Sequence, residues 1–276
     1  MRLTMVEAPS GLTELGGLTE LDIRNAAEAI LRAEREGEAM PPLSGQHSGL
    51  SLDDAYRIQD LLTRMRQQQG IALAGYKIGL TWLTTQIACD LDAPIHGRIL
   101  RHAVHQSGAS LSAKRLVKPH VEVELAFIMG RDIDRPIENL DEVLAATDRI
   151  VPALELVDHR MAPPRIVADT VADNSAFAGV ILAEQRFRPD DIDSRWVGAT
   201  LSRNGVVEET GLSVIGMGHP ATCVAWLANT LLKRGEHLAE GDIVMSGAFA
   251  RALPVASGDV FKADFNQYGT LDVSFT

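Results

Sequence analysis

Two glutamates interrupt an apolar stretch of the sequence, KPHVEVELAFIMG, at residues 118–130. Successive side chains of a β-strand point to opposite faces, so Glu122 and Glu124 lie on one face and the apolar residues beside them on the other. Two like charges on one face of a covered strand repel each other, and burying either without a partner is costly. The pattern predicts either a half-exposed strand with a solvated acidic face or a site that binds a cation.

A third acid stands in a second apolar stretch, VPALELVDHR, where Glu155 lies between two leucines. One predicted helix joins the two stretches, and strands connected in this way can lie side by side, so we expect Glu155 to face Glu122 and Glu124. Three converging carboxylates with no arginine beside them cannot all stay ionised unless a cation neutralises them. Oxygen ligands favour a hard cation, Mg²⁺, Mn²⁺ or Ca²⁺, and three protein ligands leave open positions for catalysis.

A lysine lies in another apolar stretch, GYKIGLT, where Lys77 stands between a tyrosine and an isoleucine. Lysine is seldom buried without a partner. In one interpretation its stem packs against the strand and its ammonium reaches water. In the other, the ammonium points at an anionic substrate held by the metal, or donates a proton with a lowered pKa.

Three weaker candidates follow later in the chain. Asp173 and Asn174, in the segment DTVADN, either orient a water molecule or form a structural turn. Arg251, in SGAFARALP, either pairs with a second carboxylate at the far end of a substrate or is an ordinary surface arginine. We predict Asp173 and Lys77 as catalytic residues and Lys77 and Arg251 as substrate-binding residues.

The composition excludes several classes of function. The chain has 276 residues, 46% of them hydrophobic, and a formal net charge of −11 at pH 7. Nucleic acid and anionic membrane surfaces require a basic face, which this charge argues against. Two cysteines are too few for a disulfide framework or a thiolate zinc site and fit a reducing compartment. The start of the chain lacks a secretory pattern and no apolar run has transmembrane length, so we predict a cytoplasmic protein.

The spacing of apolar residues predicts helices in the first part of the chain and mainly strands after it. Residues 18–40 and 51–70 have helical periodicity, and Ser51 is a predicted N-cap. From residue 73 strands dominate, and Asn204-Gly205 marks a hairpin turn. We predict an α+β fold in which residues 1–72 form a helical N-terminal portion and residues 73–276 a β-rich metal-binding catalytic domain.

The segments GYKIGLT, VEVELAF, ALELVDHR and DTVADN, in this order and spacing, resemble one family. This is the branch of the fumarylacetoacetate hydrolase superfamily that holds the 2-hydroxypenta-2,4-dienoate hydratases and the 4-oxalocrotonate decarboxylases. Nearly the whole chain after the first 20 residues is covered, and the 2-oxo-hept-4-ene-1,7-dioate hydratase subgroup is the most similar. The chain departs from that subgroup at a short connection, MAPPRIVADT, so the length of the substrate is left open.

The resemblance implies that Glu122, Glu124 and Glu155 are the metal ligands and that Lys77 is the family's active-site lysine. It implies a β-rich roll, a Mg²⁺ or Mn²⁺ cofactor, and a homo-oligomer built from dimers, up to a decamer. The expected enzyme is a hydro-lyase of the meta-cleavage breakdown of aromatic compounds. It would add water to a 2-hydroxy-2,4-dienoate, of the 2-oxo-hept-4-ene-1,7-dioate or 2-oxopent-4-enoate type, and give a 4-hydroxy-2-oxo acid.

Other functions stay open at this level. The alternative within the branch is a 4-oxalocrotonate decarboxylase, followed by a C–C hydrolase or a 2-oxo acid decarboxylase of the wider superfamily. The chain could also be a non-catalytic partner subunit, although its complete set of three glutamates and Lys77 argues against this. A metal-free enzyme in which Lys77 forms a Schiff base is the remaining alternative.

Overall fold

The computed structural model describes residues 17–276, and the first 16 residues of the predicted N-terminal portion lie outside the described residues. The helices are α1 (Glu20–Glu36), α2 (Leu52–Gln68), α3 (Leu83–Ala88), α4 (Leu140–Ala146), α5 (Val167–Ala172) and α6 (Pro220–Lys233). The strands are β1 (Leu73–Gly79), β2 (Ile95–Leu100), β3 (Val104–Gln106), β4 (Ala109–Leu111), β5 (Pro119–Met129), β6 (Thr147–Asp158), β7 (Phe177–Leu182), β8 (Gly198–Arg203), β9 (Val206–Leu212), β10 (Ile243–Met245), β11 (Leu253–Pro254), β12 (Val260–Asp264) and β13 (Thr270–Phe275).

The two long N-terminal helices begin and end where local signals place them. Thr19 caps α1 in a capping box with Asp22, and Gly37 ends the helix in a left-handed conformation with φ 67°. Ser51 caps α2 by accepting a hydrogen bond from the amide of Asp54. The apolar faces of both helices form a core together with α5 and residues of the β-rich body. The division of the chain into two portions stays a prediction.

The main core lies on an eight-stranded mixed sheet with the order β2-β1-β10-β5-β6-β7-β3, in which β11 also pairs with β5. β5 and β6 are antiparallel neighbours along nearly their whole length, and the short helix α4 connects them. Apolar side chains on these strands, such as Val123 and Leu154, are fully buried. A charged side chain on either strand therefore needs a partner inside the protein.

A second sheet has five strands in the order β4-β13-β12-β8-β9. Its β8–β9 hairpin turns at Asn204 and Gly205, which have φ 53° and 82° as the predicted turn requires. Phe261 and Phe275 lie on neighbouring strands of this sheet, and their rings meet edge to face with centroids 5.8 Å apart. Buried side chains of this sheet and of α6 belong to the main core.

The predicted α+β fold is confirmed, with three local differences. The sequence pattern does not indicate β2, because buried His96 and Arg98 make this strand look polar. The segment GDIVMSGAFA contains a strand of only three residues, since the chain turns at Gly247 with φ 102°. The segment DTVADN is the end of α5 and the start of a left-handed turn. Within residues 17–276, no helix combines the length and apolar character needed to cross a membrane.

Candidate metal centre and active site

Three glutamates converge where β5 and β6 run side by side. In the register of this pair Glu122 lies directly opposite Glu155, and Glu124 follows on the same face of β5. The three residues each offer a carboxylate oxygen within 4.8 Å of the other two. Directly opposite residues of an antiparallel pair have Cβ atoms about 5 Å apart, so this register brings the side chains together. The structure thus places the three predicted ligands at one point.

The oxygens of this cluster are poorly supplied with donors. Glu124 and Glu155 are completely buried, whereas Glu122 faces a cavity. Glu124 Oε2 accepts a hydrogen bond of 2.8 Å from the backbone amide of Gly247. The other oxygen of Glu124 and Oε2 of Glu155 accept no hydrogen bond from the described residues, and Oε1 of Glu155 lies 3.2 Å from the Lys77 ammonium. Buried oxygens without donors are costly, and a hard cation would satisfy them. The residues present therefore fit a divalent metal ion.

The pKa values of the three glutamates also indicate a site that binds a cation. Burial raises the pKa of all three carboxyl groups, and repulsion from Glu155 and Glu122 adds to this at Glu124, whose pKa lies well above its usual range. Burial raises the pKa of Glu155 to about 7, although the Lys77 ammonium lowers it. Without a metal ion, the cluster therefore relieves its repulsion by holding protons near neutral pH.

Lys77 reaches the cluster from β1. Its Nζ lies 3.2 Å from Glu155 Oε1 and donates a hydrogen bond of 3.2 Å to the carbonyl oxygen of Ser175. The residue is 4% exposed, so its ammonium lies inside the protein and does not reach bulk water. Burial lowers the pKa of Lys77, but the attraction of the three glutamates outweighs burial and raises it. In the metal-free protein Lys77 is therefore held as an ammonium.

The carbonyl that holds Lys77 belongs to an unusual turn after α5. Asn174, Ser175 and Ala176 are consecutive residues with φ of 53°, 52° and 59°, a conformation that costs about 1–3 kcal/mol per residue. The Asn174 amide group accepts a hydrogen bond from the Arg98 backbone N–H at 2.7 Å and donates one to its carbonyl at 2.9 Å. Ser175 Oγ donates to the His96 carbonyl at 2.6 Å. These bonds to β2 fix the Ser175 carbonyl in place.

Asp173 supports this turn from behind. Arg160 Nε donates to Asp173 Oδ1 at 2.6 Å, and the Arg160 guanidinium also donates to the Asp173 carbonyl at 3.1 Å. Both residues are buried, at 2% exposure each. The Asp173 carboxylate does not join the three glutamates, and Asp173 is not among the described residues that line the cavity. Its geometry is that of an anchor for the turn, and the predicted catalytic role has no contact to support it.

A cavity of about 310 Å³ opens next to the cluster. Lys77 and Glu122 line one part of it, and His159, Trp82 and Arg251 line others. Trp82 is fixed by a hydrogen bond of 2.6 Å from its Nε1 to the Ala248 carbonyl. The Arg251 side chain is 76% exposed and pairs with Glu209 at 2.6 Å, so it lies at the mouth of the cavity. With a metal ion held by the three glutamates, the arrangement can bind the carboxylate of a small molecule and enclose the rest of that molecule in the cavity.

The sequence family described as fumarylacetoacetate (FAA) hydrolase C-terminal matches residues 95–276. This range contains all three glutamates of the cluster, the turn after α5 and the second sheet. The chain belongs to the fumarylacetoacetate hydrolase family. The predicted membership is confirmed.

Individual relatives of this family member are similar over nearly their whole length. The chain is 37% identical over 256 residues to 2-oxo-hept-4-ene-1,7-dioate hydratase of Escherichia coli, which covers 90% of this chain and 96% of that protein. It is 34% identical to 2-keto-4-pentenoate hydratase of Paraburkholderia xenovorans (strain LB400), over 94% and 96%. The solved 4-oxalocrotonate decarboxylase of Pseudomonas putida G7, complexed with magnesium and adipate, has a TM-score of 0.91 at 28% identity and covers 94% of this chain and 99% of that chain. Hydratases are hydro-lyases, so these relatives place this family member among the metal-dependent hydro-lyases.

Sequence reasoning missed three parts of this family member's site. The Gly247 amide donates to Glu124, and the signal available was a glycine two residues after a strand. A Cβ at Gly247 would lie 2.4 Å from the Thr81 side chain, so close packing also requires glycine. The Ser175 carbonyl gave no signal, because backbone groups are invisible in a side-chain pattern. The sequence around His159, after the two strands that carry the glutamates, is typical of the end of a strand. His159 nevertheless lines the cavity.

Gly97→Ala is expected to disturb the turn that holds Lys77. A Cβ on Gly97 would lie 2.5 Å from the Asn174 carbonyl oxygen, so the turn must move. Overpacking of this kind costs about 1–3 kcal/mol, and displacement of a catalytic group by about 1 Å can cost about a hundredfold in rate. We expect the melting temperature to fall by several degrees and kcat to fall more than KM rises.

Gly198→Ala, in β8, is the matched control. A Cβ there would meet no atom closer than 3.8 Å, so both stability and turnover should hold. Thermal melts and steady-state kinetics of the two variants give the comparison. Full turnover of Gly97→Ala would show that the position of the turn does not matter to the reaction.

Proposed function

We propose that this protein is a Mg²⁺-dependent hydratase that adds water to a 2-hydroxy-2,4-dienoate and forms a 4-hydroxy-2-oxo acid in the meta-cleavage breakdown of aromatic compounds. The observation that carries the proposal is the cluster of three buried glutamates, with a lysine ammonium against it and a small cavity beside it. The hydratases among the relatives support the reaction class. A cytoplasmic location, suggested by two free cysteines, is part of the proposal.

Glu122, Glu124 and Glu155 would hold the metal ion, with Mg²⁺ or Mn²⁺ as the proposed ion. All three offer carboxylate oxygens, the ligand type of hard divalent cations. When bound, such an ion acts as a Lewis acid that stabilises negative charge on the oxygens of a 2-oxo acid. The Gly247 amide orients Glu124, as a hydrogen-bond partner behind a ligand commonly does.

Lys77 would act on the substrate as a fixed positive charge. Its ammonium is held by Glu155 and the Ser175 carbonyl, and it lines the cavity next to Glu122. A preorganised cation stabilises negative charge that develops on the substrate without having to reorient. The raised pKa argues against the Schiff-base alternative, because imine formation needs the neutral amine.

The decarboxylase of the same branch is the second candidate. The solved decarboxylase with a TM-score of 0.91 favours it, because its fold matches nearly the whole chain. The identity to that protein is 28%, against 37% to the hydratase of Escherichia coli, so the hydratase is the better-supported function. Both reactions need a stabilised enolate-like charge next to the metal ion, so the three glutamates and Lys77 do not distinguish them.

We also propose a homo-oligomer built from dimers, up to a decamer. Leu83 and Ile87 on α3 are 68% and 70% exposed, and exposed apolar side chains close together are typical of a protein–protein contact. Sedimentation of the purified protein measures the assembly directly. A monomer at micromolar concentration would contradict this proposal.

The test of the function is a product analysis. Purified protein is supplied with Mg²⁺ and, in separate reactions, 2-hydroxypenta-2,4-dienoate, 2-oxo-hept-4-ene-1,7-dioate and 4-oxalocrotonate. We expect a 4-hydroxy-2-oxo acid from at least one dienoate, no CO₂ from 4-oxalocrotonate, and loss of activity in EDTA that Mg²⁺ restores. Release of CO₂ would establish the decarboxylase instead, and activity that EDTA does not affect would reject the metal mechanism.

A further inference from the structure

His159 directly follows the strand that carries Glu155. Glu155 and Val157 share one face of β6, His159 follows the last residue of this strand, and Val157 and His159 both line the cavity. At the rise of an extended chain, four residues separate the Cα atoms of Glu155 and His159 by roughly 13 Å. The glutamate cluster and His159 therefore mark two ends of one cavity.

The imidazole of His159 has no fixed role in the protein. Among the described residues it makes no hydrogen bond, and its ring packs edge-on against His120 with centroids 5.9 Å apart. Its ring nitrogens, one donor and one acceptor when the ring is neutral, are therefore available to a molecule in the cavity. His120 does not line the cavity, and its Nδ1 lies 3.1 Å from the Lys118 carbonyl.

The surroundings of His159 are positive. Burial, together with the nearby Arg165, His120, Lys77 and Arg160, lowers the pKa of His159 to about 3, so the ring stays neutral. The adjacent carboxylate, Asp158, faces away and accepts hydrogen bonds from the Val117 and Lys118 amides. A neutral N–H donor in a positive potential favours an anion as its partner.

We propose that His159 binds the distal carboxylate of a dicarboxylate substrate, so that this site prefers a dienoic acid with a carboxylate at each end over a monocarboxylic one. This rests on the proposed function, which places the first carboxylate at the glutamate cluster. An extended seven-carbon acid spans roughly 7–8 Å between its terminal carbons, from C–C bonds of about 1.5 Å. With side chains reaching in from both ends, this length fits a 13 Å separation of backbones, whereas a five-carbon acid stops short of His159.

Binding of two unreactive acids tests the proposal without turnover. The Mg²⁺-loaded full-length protein is titrated calorimetrically with adipate, which has two carboxylates, and with hexanoate, which has the same chain length and one. We expect adipate to bind about tenfold or more tightly, as for a hydrogen bond to a charged group. His159→Phe keeps the ring and loses the donor, so it should abolish the preference. His159→Gln restores a donor and should recover part of it.

His120→Phe is the matched control, since it removes the neighbouring imidazole outside the cavity. It should keep the full preference for adipate, and melting curves establish that each variant is folded. In turnover, His159→Phe should raise KM for the seven-carbon dienedioate about tenfold more than it raises KM for 2-hydroxypenta-2,4-dienoate.

The outcomes separate the two proposals. Equal binding of adipate and hexanoate by the wild type, or an adipate preference that survives in His159→Phe, overturns the role of His159 while hydratase activity can still stand. A preference that depends on His159 in a protein that hydrates no dienoate supports the distal site and rejects the proposed reaction. Equal losses on both dienoates in His159→Phe would also overturn the assignment.

Discussion

Replacing Lys77 by methionine is expected to lower kcat by about a hundredfold to a thousandfold, the range for loss of one preorganised charge at a reacting centre. The ammonium lies against Glu155 at the edge of the cavity, where it can stabilise negative charge on the substrate. Since that charge grows toward the transition state, kcat should fall more than KM rises.

The same substitution has a second consequence that the sequence did not suggest. Lys77 is a buried partner of Glu155, and removing one member of a buried pair is costly because the other charge remains. We expect the metal-free Lys77→Met protein to melt several degrees below the metal-free wild type. Mg²⁺ should narrow this gap, because the ion supplies positive charge to the same carboxylates. Melting curves with and without Mg²⁺, read beside kcat, measure both effects.

Lys262→Met, on the exposed side of β12, is the control for loss of a lysine. It should change neither turnover nor the response to Mg²⁺. If Lys77→Met keeps the kcat of the wild type but loses metal-free stability, Lys77 is a structural counter-ion of the glutamates and has no role in the reaction.

Much of the fold follows from signals that act over a few residues. The cap at Ser51 and the Asn204-Gly205 turn both determine geometry within one turn of chain, and each lies where the sequence predicts. The strand β2 cannot be predicted from such local signals. Its polar residues are buried because distant groups satisfy them: Arg98 pairs with Glu236, and Asn174 bonds to the strand's backbone. Such partners are unknown until the chain has folded.

The residues of the site also divide into those that a local sequence pattern predicts and those that it does not. The alternation of apolar residues with Glu122, Glu124 and Glu155 carries information about side-chain faces, so the convergence of these acids could be predicted from two strand patterns. Asp173 could not be placed, since its short segment fits a cavity wall and a buried anchor equally well. Only the contact with Arg160, which follows β6, decides between them.

Replacing Glu124 by glutamine is expected to weaken Mg²⁺ binding and turnover together, each by about tenfold to a hundredfold or more. A hard cation loses one of three anionic ligands, and the neutral amide oxygen that replaces it is a weaker metal ligand. The hydrogen bond from the Gly247 amide can persist, because the glutamine carbonyl can accept it. The change therefore removes charge with little change of shape.

Stability of the metal-free protein should move in the opposite direction. Glu124 is fully buried, its pKa lies well above the usual range because of burial and of repulsion by Glu155 and Glu122, and one of its oxygens has no donor. Glutamine removes one of three crowded acids, and its amide N–H can donate to a neighbouring carboxylate. The melting temperature of metal-free Glu124→Gln should equal or exceed that of the metal-free wild type.

The wild type should instead gain stability from Mg²⁺, since a ligand that binds only the native state stabilises it by an amount that grows with the logarithm of its concentration relative to Kd. Glu184→Gln, an exposed glutamate after β7, should respond to Mg²⁺ like the wild type. A solvated acidic strand predicts the reverse pattern: no Mg²⁺ effect on any melting curve, and full turnover in Glu124→Gln. Turnover is expected to fall while the metal-free melting temperature holds or rises. General damage to the fold would instead lower activity and metal-free stability together, so the test distinguishes the two causes. In a site that holds a cation, loss of one acidic ligand stabilises the metal-free protein and inactivates the enzyme.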